Sequence, residues 1–233
     1  MQEIKLSAAD GTGEFTAYVW DAQGREKAGA VVLIQEIFGV NDSLRETAAS
    51  LAAQGFLVVA PDLFWRQEPG VNLTDKTEEE WNKAFALMKG FDQDKGVDDL
   101  VVTLDAARRM PGCNGRAGTL GFCLGGRLAV LMATRSDADV NVSYYGVGLD
   151  GLTDEFDDID APLMLHIAEN DEYFPPAAQE KLFDALEESE WVDAFVYPGA
   201  QHAFARAGGV HYDARSAVIA NGRTTEILVE ILE

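Results

Sequence analysis

The fold class this sequence predicts is α/β: a mostly parallel central sheet with helices on both faces. Three observations predict it. Short, continuous apolar runs alternate with helical patterns from about residue 30 to the end. Strands that are apolar on both sides belong in sheets covered on both sides. The 233 residues also contain no internal repeat, no low-complexity tract and no linker rich in Gly, Pro or Ser. That length fits one large α/β domain, residues 1–233.

The elements follow in order. Glu3–Ser7 and Phe15–Trp20 read as an antiparallel hairpin leading into the rest, and Val31–Ile34 as a buried strand. Asp42–Gln54 has helical spacing, with Asn41 or Asp42 as its cap and Gly55 as its stop. Phe56–Ala60 is the next strand, ended by Pro61-Asp62. Residues Lys76–Lys89 and Lys95–Met110 are helical, the second carrying Val97, Leu100, Val101, Leu104 and Ala107 on one face. Thr119–Phe122 is a short strand and Leu124–Thr134 a helix. Val140–Tyr145, Leu163–Ala168 and Ala194–Tyr197 complete the strands; Pro175–Glu188 and Ala214–Leu232 complete the helices.

Composition narrows the function. Hydrophobic residues at 47% allow a core that needs no disulfide or metal staple. The 18 Lys+Arg against 40 Asp+Glu leave a net charge of −22. Nucleic-acid and anionic-membrane binding both draw on clustered cations, so both partners are excluded. No apolar run reaches the roughly 18 residues of a membrane span. The first residues lack the basic-then-apolar pattern of a signal peptide. Cys113 and Cys123 match no zinc or C-x-x-C spacing. The expectation is a cytoplasmic protein with two reduced thiols, a monomer or small homo-oligomer acting on small molecules.

Four strand ends carry polar residues. Gly121-Phe122-Cys123-Leu124-Gly125 has the nucleophile-elbow pattern G-x-S-x-G with sulfur in place of oxygen. The glycines let strand and helix backbones approach, and the helix N-terminus favours a thiolate. Leu163–Ala168 runs into Glu169-Asn170-Asp171-Glu172, any of whose carboxylates is a candidate acid, with Asp171 preferred. Ala194–Tyr197 leads to His202. Nucleophile, acid, histidine is the chain order of α/β-hydrolase triads. Of the three histidines, His166 reads as a core residue within its strand and His211 as a solvated or capping residue near a helix start. Gln35-Glu36-Ile37 follows the strand Val31–Ile34, so the Ile37 and Leu124 N–H groups are the candidate oxyanion donors. Glu36 is unusual there, because a carboxylate among apolar neighbours is costly unless paired or protonated.

With these residues in view the chain resembles the dienelactone hydrolase (carboxymethylenebutenolidase) family of the α/β-hydrolase superfamily. The resemblance covers nearly the whole chain and rests on Gln35–Asn41, Ala60–Leu63, Gly121–Gly126, Tyr144–Gly148, Asp171 and His202–Arg206. It implies a cofactor-free hydrolase, without a metal site, that opens an unsaturated lactone bearing a carboxylate to give maleylacetate. By matching position it implies Cys123 as nucleophile, His202 as base and later acid, and Asp171 orienting His202. It further implies that Glu36 takes part in forming the thiolate once substrate binds, and that Arg206 binds the substrate carboxylate. Phe38, Trp81, Phe85 and Tyr144 are expected beside Arg206 at the substrate.

The sequence departs from the family where a second carboxylate-binding arginine is common. Trp81 stands there, with Phe85 and Met88 nearby, and Ala203 follows the histidine where a serine is expected. Arg66 and Lys83 are the candidate replacements, although Lys83, two residues from Trp81, should face elsewhere on a helix. A looser preference for dienelactone follows, with neutral esters and lactones competing better. Two alternatives remain: a broader carboxylesterase or thioesterase of the same superfamily, and a non-catalytic member that binds a small ligand. The acidic run from Asp150 to Asp160 lacks the spacing of an EF-hand loop and reads as solvated, as does Asp184–Glu188.

Overall fold

The computed structural model describes residues 1–187 and 189–233. Eight strands form one sheet. They are β1 (Gln2–Ser7), β2 (Glu14–Trp20), β3 (Ala28–Ile34), β4 (Leu57–Pro61), β5 (Cys113–Phe122), β6 (Asn141–Tyr144), β7 (Leu163–Asn170) and β8 (Val192–Gln201). Their spatial order is β1-β2-β4-β3-β5-β6-β7-β8. The β1–β2 and β2–β4 pairs are antiparallel, and every pair from β4 to β8 is parallel. The expected hairpin is therefore the antiparallel edge of an otherwise parallel sheet, which makes this an α/β-hydrolase fold.

Every residue of β3 is buried, which requires cover on both faces. The helices α1 (Asp42–Ala53), α2 (Glu78–Lys89), α3 (Gln93–Arg109), α4 (Leu124–Arg135), α5 (Pro176–Leu186) and α6 (Ala214–Leu232) surround the sheet. Of these, α3 packs on β3, β4 and β5, α4 on β5 and β6, and α6 on β3 and β5. Burying a Val or Leu of such a strand contributes roughly 1.5–3 kcal/mol, so the central strands dominate the core.

Boundaries moved where capping and sheet edges decide them. The α2 helix begins at Glu78, not Lys76, because Thr77 Oγ1 accepts the Glu80 N–H while the Glu80 carboxylate accepts the Thr77 hydroxyl. The α3 helix begins two residues earlier than its spacing suggests, capped by Asp92, whose Oδ1 accepts the Lys95 N–H. Asn41, not Asp42, caps α1. The β5 strand, expected only over Thr119–Phe122, extends back to Cys113 through the exposed residues Asn114–Arg116. The β8 strand runs through Pro198 and Gly199. It lies at the sheet edge, where a missing N–H is tolerated, and its register against β7 shifts between Ala168 and Asn170. The last residue of the expected Pro175–Glu188 helix lies outside the described residues; the described helix ends at Leu186.

Candidate active site

The carboxyl ends of β3, β5, β7 and β8 converge. At the end of β5, Cys123 has φ 56° and ψ −112°, a conformation that costs a non-glycine residue about 1–3 kcal/mol. The corner exists because its flanks are glycines. A Cβ on Gly121 would overlap the carbonyl oxygen of Gly125, and one on Gly125 would lie 2.5 and 2.6 Å from the carbonyl oxygens of Ile34 and Gln35. The second contact brings the first turn of α4 against the end of β3. The Leu124 and Ile37 N–H groups thus come from adjoining backbone. Among the described residues, neither N–H donates to a protein acceptor.

Beyond β7, Asp171 is 4% exposed. Its Oδ2 accepts His202 Nδ1–H at 2.8 Å, and its Oδ1 accepts the Tyr173 N–H at 2.9 Å. The competing carboxylates lie elsewhere: Glu169 is exposed and accepts the Gly199 N–H, and Glu172 is exposed. With Nδ1 engaged, His202 keeps Nε2 for Cys123, and both line one cavity. Burial alone would depress His202, but its electrostatic interaction with the neighbouring Cys123 and its hydrogen bond to Asp171 outweigh it and push the imidazole up to about 10. The His202 ring is held edge-on by Tyr145 (centroids 5.1 Å apart) and Tyr173 (4.8 Å).

Among the described residues, the three non-glycine residues with left-handed φ are Cys123, Tyr145 and Ala203, and all three adjoin this histidine. Strain of this kind concentrates where geometry matters for chemistry.

Glu36 is paired. Both its oxygens accept from Arg206, at 2.7 Å from Nε and 3.1 Å from Nη2. The remaining Arg206 arm, Nη1, donates to Asp75 Oδ2 at 2.7 Å. Arg206 is partly buried, which works against its charge, yet the two carboxylates, Glu36 foremost, raise it above its ordinary value. Its guanidinium also lies 5.0 Å from the Phe38 ring centroid.

The cavity over Cys123 measures about 200 Å³. Ile37, Phe38, Trp81, Phe85, Met88 and Val147 give it apolar walls, with Tyr173, His202 and Arg206 at the polar end. Trp81 stacks on Phe85 (5.4 Å), meets Phe38 edge-on (5.0 Å), and donates its indole N–H to the Asp75 carbonyl at 2.9 Å. Phe85 is 43% exposed at the rim.

Three expectations need correction. Tyr144, expected at the substrate, is buried with its hydroxyl bonded to Asn221 Oδ1 (2.9 Å) and Thr224 Oγ1 (2.7 Å). It lines a separate cavity of about 220 Å³ beside α1 and α6; Tyr145, one residue on, reaches His202 instead. Neither replacement cation enters the Cys123 cavity, because Lys83 pairs with Glu68 and Arg66 with Asp99 and Asp10. His211 neither starts nor caps α6, since Asp213 caps that helix and His211 Nδ1 contacts the His202 carbonyl at 3.2 Å. Sequence reasoning missed Asp75, Tyr145, Val147 and Tyr173. Of these, Tyr145 and Val147 lay within the Tyr144–Gly148 segment that carries the resemblance, and Tyr173 stands two residues after Asp171; Asp75 carried no signal.

A cysteine on a strand–turn–helix corner, with a histidine and an aspartate from two further strand ends, defines an α/β-hydrolase site. The chain belongs to the dienelactone hydrolase family, whose model matches residues 15–232. A protein of Azospirillum brasilense is 51% identical over 234 residues, covering 96% of each chain. Carboxymethylenebutenolidase 1 of Cupriavidus pinatubonensis is 37% identical over 225 residues, covering 97% of this chain and 95% of its own. A crystal structure of a Klebsiella pneumoniae protein superposes with TM-score 0.83 at 25% identity, over 98% of both chains. This chain is a lactone or ester hydrolase. Among the described residues no helix is long and apolar enough to cross a membrane, and no cluster of three or more His, Cys, Asp or Glu is arranged to hold a metal ion.

Proposed function

We propose that Cys123 is the nucleophile of a hydrolase that opens a carboxylate-bearing unsaturated lactone, converting dienelactone to maleylacetate through a thioester. The carrying observation is the buried Asp171–His202 pair facing the strained Cys123 across one cavity. Cys123 thiolate attacks the lactone carbonyl, and the oxyanion gathers on the Ile37 and Leu124 N–H groups, each worth about 3 kcal/mol by comparison with other oxyanion holes. The tetrahedral intermediate collapses by breaking the ring C–O bond, leaving a thioester and an enolate that takes its proton from His202 Nε2, so that the imidazole is left neutral. His202, with its proton bookkeeping fixed by Asp171, then removes a proton from water, which cleaves the thioester and returns Cys123. Glu36 is held by Arg206 at rest; a substrate carboxylate that engages Arg206 frees Glu36 to assist thiolate formation.

The same reading has the protein acting on small molecules in the cytoplasm, as a monomer or small homo-oligomer, with neither nucleic-acid nor membrane partners. The charge of −22 supports the last point. A second reading, a broader carboxylesterase or thioesterase, draws support from the apolar walls supplied by Trp81, Phe85 and Met88.

Assay of the purified protein on cis- and trans-dienelactone, with Cys123→Ala as control, tests the proposal. Intact-protein mass spectrometry should find an acyl adduct on the wild type that the variant lacks. Near-wild-type turnover by Cys123→Ala or Cys123→Ser would overturn the nucleophile assignment.

A further inference from the structure

Arg206 is the one guanidinium among the residues that line the Cys123 cavity, where no lysine stands, and it is already spoken for on both sides. Glu36 takes its Nε and Nη2 arms and Asp75 its Nη1 arm. The three side chains are comparably enclosed, at 10% exposure for Arg206, 9% for Glu36 and 11% for Asp75. One positive charge therefore faces two carboxylates, and the cluster carries a net −1 before any substrate arrives. Asp75 does not line the Cys123 cavity; it lines a neighbouring one that shares Phe38 and Arg206 with it. Nη1 is thus held by a carboxylate outside the cavity that contains Cys123. An entering carboxylate must either displace Asp75 or become a third anion around one guanidinium, with the interactions strengthened by exclusion from water.

The opposite wall offers no compensation. Trp81 presents its ring to Phe38 and Phe85 and commits its only donor to the Asp75 carbonyl. Lys83 and Arg66 are paired outside the cavity. The Asp75 backbone thus fixes the indole while its side chain fixes the guanidinium, so one loop residue organises both walls.

We propose that Asp75 sets the strength of the carboxylate subsite: it acts as an internal competitor for Arg206, so that the preference for carboxylate-bearing lactones is narrowed and uncharged esters and lactones with an apolar or aromatic group compete for the same site. This inference rests on the hydrolase reading of the Cys123 site above.

The test compares kcat/KM for cis-dienelactone and for p-nitrophenyl acetate in the wild type, Asp75→Asn and Asp75→Ser. Both substitutions keep the backbone carbonyl that accepts from Trp81. The wild type should prefer the lactone to the neutral ester by less than about a hundredfold. Asp75→Asn should raise kcat/KM for dienelactone about tenfold or more, chiefly through KM, while p-nitrophenyl acetate stays within about threefold. Asp75→Ser should move the ratio in the same direction. Retained turnover of the neutral ester shows that each variant is folded. A ratio unmoved by either substitution, or a wild type that prefers dienelactone by more than about a hundredfold, overturns the role of Asp75 and leaves the hydrolase reading standing. A wild type inert towards both substrates overturns the hydrolase reading and this inference together.

Discussion

His166 and His202 are both buried histidines at the same end of the sheet, 1% and 5% exposed, and they are driven in opposite directions. His166 sits in β7 among hydroxyls: Nδ1 meets Tyr197 Oη at 2.8 Å and Nε2 meets Thr224 Oγ1 at 2.9 Å. Burial, reinforced by the nearby Arg223 charge, pushes it down to about 3. His202 is buried almost as deeply, but its partners are Asp171 and Cys123, and it is pushed up to about 10. Burial penalises the imidazolium at both sites, so the sign is decided by whether the partner can carry negative charge. One histidine is a neutral strut that ties β7 and β8 to α6; the other carries the proton in the proposed mechanism.

The sharpest way to break this contrast is to remove the charge from the His202 partner without changing its shape. Asp171→Asn should lower kcat/KM about 10³–10⁴-fold, as loss of the orienting carboxylate does in other triads. Thermal unfolding should remain close to wild type, and an activity loss below tenfold would show that His202 needs no anionic partner.

Stability against pH should then separate the two histidines by slope. The folded His166 value lies below the unfolded 6.5, so its contribution is full above pH 6.5 and is lost as pH falls towards about 3. The loss is on the order of 4–5 kcal/mol over that window. The folded His202 value lies above 6.5, so its contribution is full below pH 6.5 and is lost as pH rises towards about 10. Urea unfolding of wild type, His166→Asn and His202→Asn across both windows isolates each slope by difference and cancels the shared titration of the acidic surface. Slopes of the same sign would contradict the assignment.

At constant pH, His166→Ala should cost about 3–4 kcal/mol, because it leaves Tyr197 and Thr224 hydroxyls unpaired around a new cavity. The kcat of that variant should stay within about threefold, which marks a strut and not a reacting group. The smallest effect belongs to Tyr144→Phe. It removes one hydroxyl from the Thr224–Asn221 network and should cost about 1 kcal/mol by denaturant melt, with KM unchanged. A large rise in KM would restore Tyr144 to the substrate site.

Much of the reactive constellation was legible because its signals are local. The elbow needs glycines at fixed offsets around Cys123, and Asp171 and His202 each follow an apolar strand. The oddity of Glu36 was legible too, as a carboxylate among apolar neighbours, although the sequence could not say what pairs it. Tyr144 was misread for a specific reason. Adjacent strand residues point to opposite faces, and the left-handed φ of Tyr145, 38°, re-aims the chain where β6 ends. Nothing in the sequence announces that turn, so which of the two tyrosines meets His202 was open to error. The Asp75–Arg206 pair spans 131 residues and belongs to two loops with no periodic pattern, which left it invisible.

By itself, then, the sequence determined the alternation of buried strands and capped helices, the elbow and the order of the triad, because each depends on residue type at short spacing. Only the tertiary structure decided which carboxylates pair with Arg206, which tyrosines meet His202, and which histidine is pushed up and which down. Those properties depend on distance between groups far apart in the chain and on how completely water is removed from between them. At 4 Å a pair of unit charges is worth about 1 kcal/mol in water and about 4 kcal/mol at an effective dielectric of 20. The same side chains therefore carry different chemistry according to where the fold sets them.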